Sequence, residues 1–267
     1  MSSNELKGRK ALVTGGARGF GAGIAEAFSR AGAAVTIGDV LEKEGEATAE
    51  ALRQRGAAAS FVRLDVTDDA SWEAAVAATV KSLGGFDVLV NNAGVEISSL
   101  VIDVQAADLR KMLDVNVVGV ALGMKHAFRA MRPGGAAGAG GAVVNIASVA
   151  ATIAFPGIAG YSGTKSAVDR MTRVAAMESG KLGYGVRVNC MYPGLVATTM
   201  GVQLANDMVK LGLAPSVEAA IGNVVGLTPL GRLGETADIA DAAVFLASDA
   251  ARFITGIGLP VDGGMGM

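Results

Sequence analysis

Short apolar runs alternate with longer segments of helical spacing along most of the chain. Lys10–Thr14 is a compact apolar run that ends in a glycine-rich turn. Behind it Ile24, Phe28 and Ala31 recur at the spacing of one helix face, and Gly32 breaks the pattern. Ala34–Asp39 reads as a second strand. The charged segment with Glu42, Lys43, Glu44 and Glu46 fits a solvated helix face. Ser60–Asp65, Phe86–Asn91, Ala142–Ile146, Val186–Met191 and Leu259–Val261 complete the strand-like series, and Val76, Val80 and Leu83 mark a helix between the third and fourth runs. Such alternation predicts an α/β fold: a mostly parallel, doubly wound sheet with helices on both faces.

Composition narrows the picture. At 267 residues, 51% hydrophobic and 18% charged, the chain can bury one large core and is not a disordered polymer. A formal net charge of −2 offers no broad basic surface for nucleic acid. No apolar run reaches the roughly 18 residues of a membrane span. The start, Met1 to Lys7, lacks the apolar core of a secretory leader, so a cytoplasmic protein without membrane partners is expected. Cys190 and His126 are the sole residues of their kinds, which excludes a disulfide within the chain and a metal site built from cysteines or histidines. They read as packing residues, as does Trp72. Pro133–Gly141 is rich in glycine and alanine, but it falls between a helix and a strand. It is expected to be an enlarged loop, with no domain boundary at it or elsewhere.

The polar residues that interrupt the pattern carry the candidate chemistry. Thr14 to Gly21 follows GxxxGxG spacing between the first strand and first helix. Gly15, Gly19 and Gly21 would let a pyrophosphate approach the backbone and rest on the helix N-terminus. Asp39 ends the second strand, where a carboxylate binds ribose hydroxyls and repels a 2′-phosphate. Arg18 points the other way, since a guanidinium in the loop suits that phosphate. The carboxylate weighs more, so NAD is expected, with NADP in a secondary role. Asp65 and Val66 end the third strand near the expected adenine, and Asn91, Asn92, Ala93 and Gly94 form a tight turn after the fourth. Tyr161 and Lys165 lie four residues apart, on one face if the segment is helical, and Ser148 lies thirteen residues upstream of Tyr161. A phenol ionises near pH 10, and a neighbouring ammonium lowers that value. With a hydroxyl donor beside it, such a pair can move a proton on or off a carbinol oxygen.

In joint order and spacing, these motifs resemble the short-chain dehydrogenase/reductase family. The resemblance runs from about Lys10 to Gly264. It includes the TGxxxGxG turn, Asp39, Asp65, the NNAG segment, Asn116, Ser148, the YxxxK pair, Pro193-Gly194 with Thr198, and Val261-Asp262-Gly263-Gly264. It implies a single Rossmann-like domain over residues 1–267, with a substrate lid at about 196–228. It implies a catalytic tetrad: Tyr161 as general acid/base, Ser148 orienting the substrate oxygen, Lys165 lowering the Tyr161 pKa and binding nicotinamide ribose, and Asn116 holding a relay water. Phe20, Val40, Pro193, Gly194, Val196 and Thr198 join the implied cofactor contacts, the last two facing the nicotinamide carboxamide. Phe20 stands where Ile or Leu is usual in the family, and Ala147 stands where Ser is frequent. A homotetramer built through the helices around Asn116 and Tyr161 is also implied.

The expected reaction is reversible oxidation of a small-molecule secondary alcohol to a ketone. Met200, Val202, Leu204, Met208, Val209, Leu211 and Leu213 make the implied lid apolar, which points to an alicyclic or steroid-like substrate. Glu96 and Tyr192 are candidate pocket residues. A 3-oxoacyl-thioester reductase is the alternative enzyme, disfavoured by Asp39. A non-catalytic dinucleotide sensor is the alternative class, disfavoured by the intact tetrad.

Overall fold

Seven parallel strands form one sheet: β1 (Lys10–Thr14), β2 (Ala34–Asp39), β3 (Ala59–Arg63), β4 (Val88–Asn91), β5 (Gly141–Ile146), β6 (Val186–Pro193) and β7 (Gly258–Val261). This is the computed structural model of the chain, and it describes residues 5–267, so Met1–Asn4, part of the start read above, lie outside the described residues. The strand order is β3-β2-β1-β4-β5-β6-β7. The winding therefore reverses between β1 and β4, and it leaves a crevice at their carboxyl ends where open α/β sheets bind ligands.

Helices cover both faces because successive strand residues point to opposite sides. Ala11 and Val13 face a core shared with Ile24 and Phe28 of α1 (Gly19–Arg30), Leu52 of α2 (Glu42–Gln54) and Ile239 of α9 (Thr236–Ala247). Leu12 and Leu89 face the other core, with Trp72 of α3 (Asp69–Leu83), Met124 of α5 (Gly119–Met131) and Val168 of α6 (Ala159–Lys181). The cores are closed by satisfied polar groups. The Trp72 indole N–H donates to the Val66 carbonyl at 2.9 Å. The His126 ring stacks on Trp72 and meets Asp69 at 2.8 Å, which makes it a packing residue. Cys190 is fully buried, and burial pushes its thiol up to about 12, as expected of an inert small hydrophobe.

All seven expected strands form, with shifts at their ends. β4 begins at Val88 because the Asp87 carboxylate is occupied in accepting the Lys10 N–H at 2.8 Å. β3 stops at Arg63. Leu64 still donates to the Asp39 carbonyl, but Asp65 closes a turn by accepting the Asp68 N–H. α4 (Ala106–Leu113) runs into α5 through a π-turn at Asp114–Val118, which places the expected kink at Asn116. Pro133–Gly140 joins α5 to β5, and its backbone is tied by Ala137 and Gly138 donating to the Ala130 carbonyl. Among the described residues, no helix is long and apolar enough to cross a membrane.

Candidate active site

The glycine loop lies at the mouth of the crevice, and three of its glycines are needed for different reasons. Gly15 has φ +60°, and a Cβ there would lie 2.8 Å from the Ala93 Cα. Gly21 would place a Cβ 2.1 Å from the Gly15 carbonyl oxygen, so the first turn of α1 packs directly on the loop. Gly19 has φ +58°, yet its Cβ direction meets nothing within 4 Å and leaves open space above the helix end. Arg18 precedes α1 without a side-chain cap, and the first turn holds no acidic residue. Those amides and the helix dipole fit an anionic group such as a pyrophosphate. Phe20 packs its ring against the core beneath.

Thr14 and Asn92 lock the loop to the neighbouring strand end. The Thr14 hydroxyl oxygen accepts the Asn92 and Ala93 N–H groups, both at 3.0 Å. The Asn92 side-chain amide donates to the carbonyls of Thr14 at 2.9 Å and Gly15 at 3.0 Å. Thr14 was legible only as a member of the glycine motif; its clamping role depends on β1 and β4 being neighbours.

Asp39 is 8% exposed, and its carboxylate accepts the Ala17 N–H at 3.0 Å and the Leu41 N–H at 3.0 Å. The acid therefore braces the glycine loop from behind while standing at the carboxyl end of β2. Arg18 is exposed and forms no ion pair among the described residues. Val40 is exposed beside Asp39. Asp65 turns its carboxylate onto Thr67, whose hydroxyl and N–H hold its pKa below the usual range. Val66 is buried, against Gly119.

The second half of the site gathers around Gly94. A Cβ on Gly94 would lie 3.3 Å from Asn116 Oδ1 and 3.5 Å from Lys165 Nζ, so the NNAG turn, the π-turn and α6 meet there. The Asn116 side chain is fully buried and bonds to the Val95 backbone and to the Thr164 hydroxyl. Lys165 is 4% exposed and donates from Nζ to the Ile146 carbonyl at 2.8 Å. Its ammonium lies 5.6 Å from the centre of the Tyr161 ring. Burial pulls the Lys165 pKa down to about 8. Burial also pushes the Tyr161 phenol up to about 12, opposed by the Ser148 hydroxyl and reinforced by the Glu96 carboxylate. Among protein groups alone, desolvation thus outweighs any help from the ammonium, because Lys165 spends its nearest bond on Ile146. Ser148 Oγ accepts the Ala150 N–H at 3.1 Å, which leaves its own proton for another acceptor.

Beyond β6, Gly194 packs on Asp262, and a Cβ there would lie 2.9 Å from the Asp262 Cα. Pro193 and Val196 are buried. Thr198 caps α7 (Thr199–Lys210) by accepting the Gly201 N–H at 3.2 Å. α7 and α8 (Val217–Gly226) span the expected lid. The lining differs from the apolar expectation. Side-chain ends of Met208, Leu211 and Leu213 lie against Gly157, while Met200 and Val202 are exposed. Gln203, Asp207 and Lys210 share one face of α7 and line a cavity of about 320 Å³ with Glu96, Ser98 and Leu211. Tyr192 is turned away from this cavity, its hydroxyl donating to Asp169 at 2.6 Å. Among the described residues, no cluster of His, Cys, Asp or Glu could hold a metal ion.

A family model described as enoyl-(acyl carrier protein) reductase matches residues 15–266. The chain is 38% identical over 264 residues to a 2,5-dichloro-2,5-cyclohexadiene-1,4-diol dehydrogenase from Sphingobium indicum, covering 98% of both chains. It is 38% identical over 262 residues to a 3-alpha-(or 20-beta)-hydroxysteroid dehydrogenase from Mycobacterium tuberculosis, covering 98% of this chain and 91% of that one. A crystal structure of a gluconate 5-dehydrogenase from Burkholderia cenocepacia, in complex with NADP and tartrate, superposes with a TM-score of 0.86 at 33% identity. That match covers 98% of this chain and 96% of the other.

Proposed function

The chain belongs to the short-chain dehydrogenase/reductase family, and from that premise we propose how its residues divide the work. It is an oxidoreductase that interconverts an alcohol and a ketone with a nicotinamide dinucleotide. The preferred nucleotide is NAD, because Asp39 sets a carboxylate where a 2′-phosphate would lie, and the exposed Arg18 is the one loop cation able to offset it. The substrate is an alicyclic or steroid-like secondary alcohol, the class to which the cyclohexadiene-diol and hydroxysteroid relatives point.

When bound, the nicotinamide ring supplies or accepts the hydride. Tyr161 gives its phenol proton to the carbonyl oxygen in reduction and takes it back in oxidation. Ser148 donates its hydroxyl hydrogen to the same oxygen and holds it in place. Lys165 stays anchored on Ile146 and would hold the ribose hydroxyls of a bound nicotinamide nucleotide through its ammonium, whose charge favours the phenolate of Tyr161. Asn116 fixes the π-turn whose loosened backbone offers a place for a relay water.

The observation that carries this reading is the Lys165 ammonium, clamped on a strand-end carbonyl and poised 5.6 Å from the Tyr161 ring. Tyr161→Phe tests it through paired measurements. Turnover should fall by at least about a thousandfold, in the range removed with a general acid/base, while NADH affinity stays within a few fold. Substantial retained turnover rejects the assignment.

The assembly is a homotetramer in this reading. Leu113, Val118, Val174 and Met177, on α4, the π-turn and α6, are exposed apolar residues that a partner could cover. A monomeric mass by light scattering would reject it.

A further inference from the structure

We propose that Glu96 is a specificity-determining residue that accepts a hydrogen bond from a second hydroxyl of the substrate, so that the enzyme favours neutral diols. The inference rests on the alcohol-oxidising role assigned above to Tyr161, and it concerns the other end of the substrate.

Position comes first. Glu96 follows the NNAG turn, and three residues later Ser99 pairs with Ile158, its N–H donating to the Gly157 carbonyl at 2.8 Å. Ile158 immediately precedes α6, and Tyr161 sits in the first turn of that helix. The Glu96 segment is thereby stitched to the loop that delivers the reacting phenol, and its negative charge helps raise the Tyr161 pKa. Glu96 and Ser98 form one wall of the 320 Å³ cavity, and α7 forms the other.

The two carboxylates of that cavity differ in their donors. Asp207 takes a cation and an amide on one oxygen, with Lys210 Nζ at 3.0 Å and Gln203 Nε2 at 2.9 Å. Glu96 has one protein donor, the Ser98 hydroxyl at 2.7 Å on Oε1. Its second oxygen has no protein donor among the described residues, and Glu96 lines the cavity. A carboxylate oxygen without a protein donor is free to accept a hydroxyl of the substrate. Two carboxylates against one ammonium leave the cavity negative, which disfavours a substrate carrying its own carboxylate. Burial and the nearby Asp207 raise the Glu96 pKa, and the Ser98 hydroxyl opposes them.

The test compares kcat/KM for cyclohexanol, cyclohexane-1,2-diol, cyclohexane-1,4-diol and 4-hydroxycyclohexanecarboxylate in the full-length enzyme, Glu96→Leu and Glu96→Gln. The ratio of diol to mono-ol is the readout, because any influence of Glu96 on Tyr161 cancels in it. In the native enzyme the ratio for at least one diol should exceed unity, and Glu96→Leu should lower it by about ten- to a hundredfold, as expected for a hydrogen bond to a charged group. Glu96→Gln, which keeps the shape and one acceptor oxygen, should restore part of the ratio and improve use of the hydroxy acid. A ratio unchanged within twofold in Glu96→Leu, or a native enzyme that prefers cyclohexanol to both diols, overturns the proposal. A native enzyme that binds NADH yet oxidises none of the four alcohols overturns the alcohol-oxidising reading as well.

Discussion

Asn116 grips Val95 by both backbone groups, donating from Nδ2 to its carbonyl at 2.8 Å and accepting its N–H on Oδ1 at 2.8 Å. The same Nδ2 donates to the Thr164 hydroxyl at 3.1 Å, and that hydroxyl donates to the Tyr161 carbonyl at 2.7 Å. One fully buried amide therefore ties the turn after β4 to the helix that carries the phenol and the ammonium.

Asn116→Ala should remove that tie. Two half-buried backbone groups of Val95 would lose their partners, so stability should drop by about 1–3 kcal/mol. Urea unfolding followed by circular dichroism checks the value. Turnover should fall further than NADH affinity, since the cofactor loop is braced separately by Thr14 and Asn92. Equal losses in both would place Asn116 in general packing.

Asp39→Ala should raise the NADP-to-NAD ratio of kcat/KM by about tenfold or more, through relief of repulsion against a 2′-phosphate. It should also weaken both cofactors, because the Ala17 and Leu41 N–H groups lose their acceptor. Asp39→Asn keeps an acceptor and should show the change in preference with less overall weakening. An unchanged ratio in both variants would assign the preference to Arg18.

Lys165→Met predicts a dissociation of stability from activity. The Lys165 pKa is about 8 in the folded chain against the ordinary 10.5. Below about pH 8 both states carry the charge, and the folded state bears the full cost of burying it. Between about pH 8 and 10.5 the folded state is the first to release its proton, so native stability rises with pH in that window. The shift is worth about 3 kcal/mol at most, and the lost bond to Ile146 offsets part of it. Denaturant unfolding from pH 7 to 10.5 should therefore show the native enzyme gaining on Lys165→Met, while the variant should show no turnover at any of these pH values. A difference independent of pH would mean that Lys165 is charged in the folded state across the range.

Much of the fold was legible because buried parallel strands leave compact apolar runs and their helices leave a three-to-four-residue period. Strand ends were less so, because they depend on what a single side chain does. Asp87 and Asp65 read as strand residues but end the ladders by binding backbone groups. Tyr161, Lys165 and Ser148 stood out by their chemistry taken together, since the spacing alone is common on helices, and Asn116 was marked only by the family resemblance. The Ile146 carbonyl that anchors Lys165 carries no side-chain signal at all. The polar face of Gln203, Asp207 and Lys210 resembles any solvated helix face, and only the position of Glu96 across from it reveals a cavity between them. The neighbouring methionine and leucines looked like pocket lining by composition, but Met208 and Leu213 instead pack beside Gly157, and only Leu211 also reaches the cavity.

All of this chemistry gathers at the carboxyl ends of the strands, whereas Pro133–Gly140 enters β5 at its amino end, on the far rim of the sheet. That rim is a natural handle. An affinity tag, a fluorophore or a tether to a solid support placed there would leave the mouth of the crevice open, so the enzyme could be fixed to a surface while its substrates come and go from the other side.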